Sequence, residues 1–267
     1  MDQNDDMSGI ADASHPNPGR IYDYLLGGDH NFEIDRQAAQ NVLEIAPFFP
    51  KAFRLIRWFL GEATRRLSAE GYHKFLDFAS GLPTVDHIHQ VAPEGTKVVY
   101  SDIDPVTVAY AQQIIGDDPN IRYMQADARN PETLLESKAV SELFGDDRKL
   151  VIGFNGVGYF LSDEVLSRSL KTIYDRVETG SRLFICDNDV PKLTGQARKM
   201  VTLYKEKMNQ EAYIRSRSEV EAVVKPWTIL KPGFIPLEDW IGLDRSTTDE
   251  MSSAFGGTHI GAILEKR

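Results

Sequence analysis

From Asn17 to Gly71 apolar residues recur at three- and four-residue steps, the period of helices that bury one face. Asn17-Pro18 reads as an N-cap followed by proline at the first helical position. Ile21, Tyr24 and Leu25 form the stripe, and Gly27-Gly28 stops the helix. A second helix from about Asp35 buries Ala38, Ala39, Val42, Leu43 and Ala46 and must end at Pro47. A third opens at Pro50, carries Phe53, Ile56, Leu60, Ala63 and Leu67 on one face, and stops at Gly71.

From Lys74 the period changes. Short β-branched and aromatic runs alternate with helical stretches, as in a parallel sheet with crossover helices. They predict strands over Lys74–Ala79, Lys97–Asp102, Ile121–Ala126, Leu150–Phe154 and Arg182–Asp187. Helix starts at Thr84, Asp104-Pro105, Asn130-Pro131 and Ser162 agree with that alternation. It breaks after Val190, where residues 193–224 read as one or two helices inserted after the fifth strand. Two closing strands, Trp227–Leu230 and His259–Leu264, flank the turn signal Lys231-Pro232-Gly233 and suit antiparallel pairing.

A chain of 267 residues, 42% hydrophobic, suffices for one large domain or two small ones with a buried core. Forty acidic against thirty basic side chains leave a net charge of −10, so no global positive field exists to hold nucleic acid or anionic lipid. Cys186 is the single cysteine; no internal disulfide and no metal-ligand spacing is present, and no metal site is expected. The N-terminal segment has neither the basic start nor the apolar run of a secretion signal, and no stretch approaches the roughly 18 apolar residues of a membrane span. The expectation is a cytoplasmic protein with a disordered tail over residues 1–15, a helical lid over 16–72 and one domain over 73–267. The oligomeric state stays open, a homodimer included.

In open α/β sheets ligands bind beyond the carboxyl ends of the strands. Here strand one leads into Asp77-Phe78-Ala79-Ser80-Gly81, strand two ends Ser101-Asp102-Ile103, strand three leads to Asp127-Ala128, and strand four to Asn155-Gly156. Asp102 follows Gly81 by 21 residues, the spacing at which a carboxylate accepts both hydroxyls of a ribose. Each acid alone reads more readily as a helix cap or surface charge; three in succession indicate an adenosine-containing ligand. The first loop holds one glycine instead of the three of a dinucleotide site, and Asp77 would oppose a pyrophosphate while suiting a cationic amine. That chemistry points away from NAD and toward S-adenosylmethionine.

With these residues in view, the chain resembles a class I S-adenosylmethionine-dependent methyltransferase. More narrowly, it resembles a bacterial family carrying a YDYLLGG-x-x-NF-x-x-D segment, here Tyr22 to Asp35. Further matches are Phe75-Leu76-Asp77, Gly81-Leu82-Pro83-Thr84, Asp104-Pro105, Asp127-Ala128-Arg129 and Lys231-Pro232-Gly233. The resemblance implies a Rossmann-like α/β fold with a mostly parallel seven-stranded sheet and an antiparallel last strand. It implies that Asp77 and the Ala79-Ser80-Gly81 loop line the methionine part of the cofactor. Asp102 and Ile103 would hold the ribose and one adenine face, Asp127 and Ala128 the adenine amine, and Asn155-Gly156 the floor near the methyl. Two departures stand out: Ala79 replaces a usual glycine, and the Leu-His pair common near Gly158-Tyr159 in that family is absent.

The resemblance also suggests a lid in which Arg20, Tyr24, Gly28 and Asn31 close over the cofactor, against the plainer reading of a helix, its cap and a turn. Tyr24 and His30 are the candidate bases, His30 because imidazole titrates near neutrality. His87 and His89 are expected at the surface or behind the site, on opposite sides of their turn. Tyr159, Tyr204, Tyr213, Arg215 and Arg217 are candidates for contact with the acceptor, beside the reading that the aromatics, with Phe48, Phe49, Trp58 and Trp240, are core and the arginines a solvated face. The expected function is in-line methyl transfer to a small molecule of bacterial specialised metabolism, with S-adenosylhomocysteine as product. A non-catalytic cofactor-binding sensor or scaffold is the rival.

Overall fold

The structure is a computed structural model that describes residues 15–267; of the tail expected over residues 1–15, all but His15 lies outside the described residues. Helix α1 (Pro18–Leu26) starts because the Asn17 side-chain oxygen accepts from the backbone N–H of Gly19 at 2.7 Å and of Arg20 at 3.2 Å. It ends at Gly27, whose φ of 91° a side chain would oppose. Helix α2 (Glu33–Ile45) begins two residues ahead of the expected start. The Asp35 carboxylate reaches back 2.9 Å to the Phe32 N–H, which places Asp35 inside the first turn. Helix α3 (Phe49–Ala69) follows.

The sheet contains β1 (Lys74–Asp77), β2 (Lys97–Asp102), β3 (Ile121–Gln125), β4 (Val151–Asn155), β5 (Arg182–Asp189), β6 (Thr228–Ile229), β7 (Ile235–Pro236) and β8 (Thr258–Glu265). Its order is β3-β2-β1-β4-β5-β8-β6, with β7 pairing β8. The first five strands run parallel, and β8 lies antiparallel between β5 and β6. This is the Rossmann-like arrangement, with eight strands where seven were expected. β7 spans two residues, too few to display a period of two. Strand β1 stops short of the expected Ala79, because Ala79 and Gly81 turn to φ values of 50° and 65°.

Between and after the strands lie α4 (Ile88–Val91), α5 (Pro105–Ile115), α6 (Glu132–Leu135), α7 (Lys138–Phe144), α8 (Asp163–Arg176), α9 (Gly195–Met208), α10 (Arg217–Val223), α11 (Leu237–Ile241) and α12 (Ser246–Phe255). The cap expected at Thr84 belongs instead to His87, whose N–H is satisfied by the Gln90 side chain at 2.8 Å. Asp104 and Ser162 cap α5 and α8 as expected.

One apolar cluster fills the space between the sheet and helices α1–α3 and α9. A second lies under α6, α7, α8 and α10 on the opposite face. The inserted segment after β5 is therefore divided: Met200 and Tyr204 of α9 join the first cluster, Val220 and Val223 of α10 the second. Phe59 of α3 is fully buried, and such a side chain contributes about 1.5–3 kcal/mol. It rests on β8 at Gly261, where a Cβ would come within 2.7 Å of its ring. That close approach brings α3 down onto the sheet and sets the roof of the cavity at the strand ends.

Candidate functional site

The carboxyl ends of β1, β2 and β4 open into a cavity of about 250 Å³. Asp77, Ala79, Ser80, Gly81, Asp102, Ile103, Asp127, Ala128, Asn155, Gly156, Tyr159 and Tyr204 all border it, so the strand-end residues picked out in the sequence are brought together. Parallel pairing with the carboxyl ends side by side is what collects them.

Asp77 is buried beneath this space, in room left by Gly153 on β4, where a Cβ would strike its carboxylate. Burial pushes its pKa up to about 7, against the lowering influence of Ser80 and of Arg57. Asp102 rises to about 6 for the same reason, partly offset by the N–H groups of Asp104 at 3.0 Å and Gly81 at 3.1 Å. The Ser80 hydroxyl donates to the Asp77 carbonyl at 2.9 Å, and the Tyr123 hydroxyl donates to the Gly81 carbonyl at 2.7 Å, so the loop is braced from below. Asp127 holds Arg129 in a two-oxygen ion pair, with Nη2 at 2.7 Å from Oδ2.

Three buried polar atoms around this cavity have no hydrogen-bond partner among the described residues: Asp77 Oδ1, Asn155 Oδ1 and Arg57 Nε. Such atoms are costly unless something completes them. Arg57, on α3 and 6% exposed, stands over the Tyr22 ring at 5.4 Å and has no carboxylate in ion-pair range among the described residues. Two acceptors and one cation around one cavity match the ammonium and the carboxylate of an amino acid. Asp102 beyond them offers acceptor oxygens to a ribose. The chain's residues therefore fit S-adenosylmethionine.

The N-terminal motif is placed elsewhere. Arg20, Tyr24, Gly28, His30 and Asn31 stand outside the lining of this cavity; Asn17, Pro18, Gly19 and Tyr22 border it instead. Arg20 is buried with Asp35 at 2.8 Å, Asp104 at 3.1 Å and the His15 carbonyl at 2.8 Å. Asp23 collects the His30 N–H at 3.0 Å, Asn31 Nδ2 at 3.1 Å and the Thr84 hydroxyl at 3.3 Å. A Cβ on Gly28 would collide with the Asp23 carboxylate. His30 pairs with Asp29 at 2.9 Å and stands edge-on to Tyr110, while the Tyr24 hydroxyl accepts from Gln40. In the structure the motif ties α1 to α2 and to the loop after β1.

A smaller chamber of about 60 Å³ adjoins the first and shares Phe53, Tyr159, Phe160 and Tyr204 with it. Its walls are mostly apolar, with Met200, Met251 and Phe255 from α9 and α12. His259 at the start of β8 and its pairing partner Asn188 on β5 supply polar groups. Burial lowers the His259 pKa to about 4 and raises those of the Tyr159 and Tyr204 hydroxyls, so the imidazole is neutral and both phenols keep their protons near pH 7.

Of the residues expected at the acceptor, Tyr159 and Tyr204 border both chambers, while Tyr213, Arg215 and Arg217 border neither. Arg215 is fully buried and engaged by Asp163 at 2.8 Å, Asp187 at 3.2 Å and the carbonyls of Gly158 and Leu161. Arg217 pairs with Asp189 at 3.1 Å, and the Tyr213 N–H donates to the Tyr159 carbonyl. Of the two positions expected for His87, at the surface or behind the site, the structure shows the second, and His87 and His89 do not face opposite sides of their turn. His87 is fully buried, with Nε2 3.2 Å from the Ser80 carbonyl, and shares Tyr100 with His89 from the same side. Arg57 and His259 were missed, because neither sits at a strand's carboxyl end or in a motif; the tertiary fold alone brings them to the cavities.

The sequence model of the S-adenosyl methyltransferase family matches residues 4–261. The chain is 30% identical to a Thermobifida fusca protein of solved structure that carries a provisional methyltransferase designation, with a TM-score of 0.86 over 96% of this chain and 97% of that one. A duf574 family protein from Streptomyces avermitilis superposes with a TM-score of 0.84 at 24% identity, over 96% and 99% of the two chains. Magnesium protoporphyrin IX methyltransferase from Synechocystis, solved with bound SAH, shares the fold at 11% identity and a TM-score of 0.52, over 92% and 93%. No curated protein matches the chain.

Proposed function

The chain belongs to the S-adenosyl methyltransferase family, and from that premise we propose that it methylates a small molecule by in-line displacement within the two adjoining chambers. The observation that carries this reading is the set of unpaired polar atoms, Asp77 Oδ1, Asn155 Oδ1 and Arg57 Nε, gathered around a cavity that Asp102 also borders. Bound there, S-adenosylmethionine supplies a methyl group already attached to a good leaving group. The protein's task is then to align, desolvate and, for a hydroxyl acceptor, remove a proton.

Asp77 and Asn155 are suited to accept from the ammonium, Arg57 to meet the carboxylate, and Asp102 to accept from the ribose hydroxyls. Ile103 and Ala128 offer apolar contact to the adenine, while Asp127 can share its Arg129-bound carboxylate with the adenine amine. Tyr22 and Phe53 close the space on the α1 and α3 side. A net charge of −10 and chamber walls without lysine support a small acceptor over nucleic acid. Among the described residues no helix is long and apolar enough to cross a membrane.

Calorimetric titration with S-adenosylmethionine, S-adenosylhomocysteine and NAD tests the cofactor assignment without knowledge of the acceptor. Binding of the two sulfur ligands, absent for NAD and weakened by Arg57→Met, is the expected outcome. Unchanged affinity in Asp102→Ala would overturn the assignment of the site.

A further inference from the structure

We propose that the smaller chamber receives the methyl acceptor, that this acceptor is an uncharged, largely apolar molecule bearing a hydroxyl, and that the His259 ring takes the hydroxyl proton. The proposal rests on the methyltransferase reading of the larger cavity and names the substrate class for the space beside it.

Three observations lead there. The two chambers share the Tyr159, Phe160 and Tyr204 walls, so a group seated in the smaller one faces the floor of the larger, where Gly156 lies close to the Tyr159 hydroxyl. Among the described residues lining the smaller chamber there is no Asp, Glu, Lys or Arg. A carboxylate, phosphate or ammonium placed there would lose its hydration without gaining a counter-charge. Arg215, next in sequence to Ile214 of the lining, is already held by Asp163 and Asp187, and Arg217 by Asp189.

The third observation concerns His259 itself. It is 8% exposed, lies 6.2 Å from the Tyr159 ring between centroids, and its ring makes no hydrogen bond to any described residue. Its ring borders the chamber, so a hydroxyl seated there meets an imidazole that no described residue already occupies. Its suppressed basicity leaves a nitrogen lone pair free near pH 7. Tyr159 and Tyr204, both protonated, can donate to the acceptor but cannot take its proton.

In the step this geometry supports, the acceptor oxygen bonds to the methyl carbon as the carbon–sulfur bond breaks and its electron pair stays on sulfur. The hydroxyl proton passes to the His259 nitrogen and from there to water. The products are a methyl ether, S-adenosylhomocysteine and one proton, with no oxidant or metal required.

Phenol, toluene, benzoate and benzylamine serve as probes, titrated calorimetrically into the full chain saturated with S-adenosylhomocysteine. Phenol is expected to bind about tenfold tighter than toluene, the worth of one hydrogen bond, with benzoate and benzylamine weaker than either. His259→Leu should bring phenol and toluene to within about twofold of each other, since only the hydrogen bond is lost. Ala197→Leu, which fills the chamber from α9, should abolish binding of both while S-adenosylhomocysteine still binds. Benzoate or benzylamine binding as well as phenol, or phenol binding unmoved by Ala197→Leu, overturns the chamber's assignment. A phenol-to-toluene ratio unmoved in His259→Leu overturns the role of the imidazole. Loss of S-adenosylhomocysteine binding by the parent protein instead refutes the cofactor reading on which the proposal stands.

Discussion

The segment from Arg20 to Asp35 and the floor of the larger cavity are both rich in buried polar groups, yet they are finished differently. In the first, Arg20, Asp23, Asn31 and Asp35 meet one another and backbone groups within the chain. In the second, Asp77, Asn155 and Arg57 each leave an atom unpaired. A closed network holds elements together, whereas an open one waits for something from outside. Apart from His30 Nδ1, the more conspicuous stretch of sequence is thus the self-sufficient one, and the strand ends and α3 bring three unpaired atoms to one cavity.

The largest effect should come from opening the closed network. Arg20→Met leaves Asp35 buried without its cation and should cost about 3–5 kcal/mol of stability, read by urea unfolding. The folded fraction should keep its affinity for S-adenosylmethionine. An equal loss of affinity and stability would erase the distinction between the two regions.

Next in size, Asp102→Ala should weaken cofactor binding about a hundredfold, since two charge-assisted hydrogen bonds to the ribose are removed. Calorimetry reads this directly, with a smaller shift in the unfolding midpoint than Arg20→Met produces.

The pH dependence follows from Asp77. Its carboxyl has a raised pKa of about 7 in the free protein, so below that pH it is protonated and offers no charge to an ammonium. Affinity for S-adenosylmethionine should therefore rise with pH toward 7 and level off above it, by up to about tenfold per unit. Asp77→Asn should flatten that slope. The sign for the free protein is the reverse: a raised carboxyl favours the protonated fold, so this contribution is present at low pH and fades as pH climbs through about 7. Matched unfolding curves at pH 5.5 and 8 check it.

The smallest effect is expected at Ala79, whose φ of 50° places a side chain in the left-handed region. Ala79→Gly should add about 1 kcal/mol of stability or less and leave cofactor affinity intact. A marked gain in affinity would show that the methyl group crowds the ligand as well as straining the loop.

Much of this was legible along the chain. The 3-4 spacing of α1 to α3, the caps at Asn17, Asp104 and Ser162, and the five parallel strands follow from local periodicity and turn chemistry. The acids at 77, 102 and 127 converge because parallel strands with crossover helices must end on the same side. The two-residue strand β7, the meeting of His87 and His89 on one tyrosine and the early start of α2 were not legible, since each depends on a neighbour distant in sequence or on a single side-chain contact.

What the sequence by itself determined is the order of elements and the line of residues at the strand ends, because both are written in short-range periods and in the handedness of βα connections. Only the tertiary structure decided which polar groups are satisfied. Arg20 is closed off by Asp104, 84 positions away, whereas Arg57 on α3 is brought to the cavity without an ion-pair partner among the described residues. His259, near the end of the chain, reaches the apolar chamber through its pairing with Asn188. Hydrogen-bond satisfaction is a property of three-dimensional proximity, and no one-dimensional pattern encodes it.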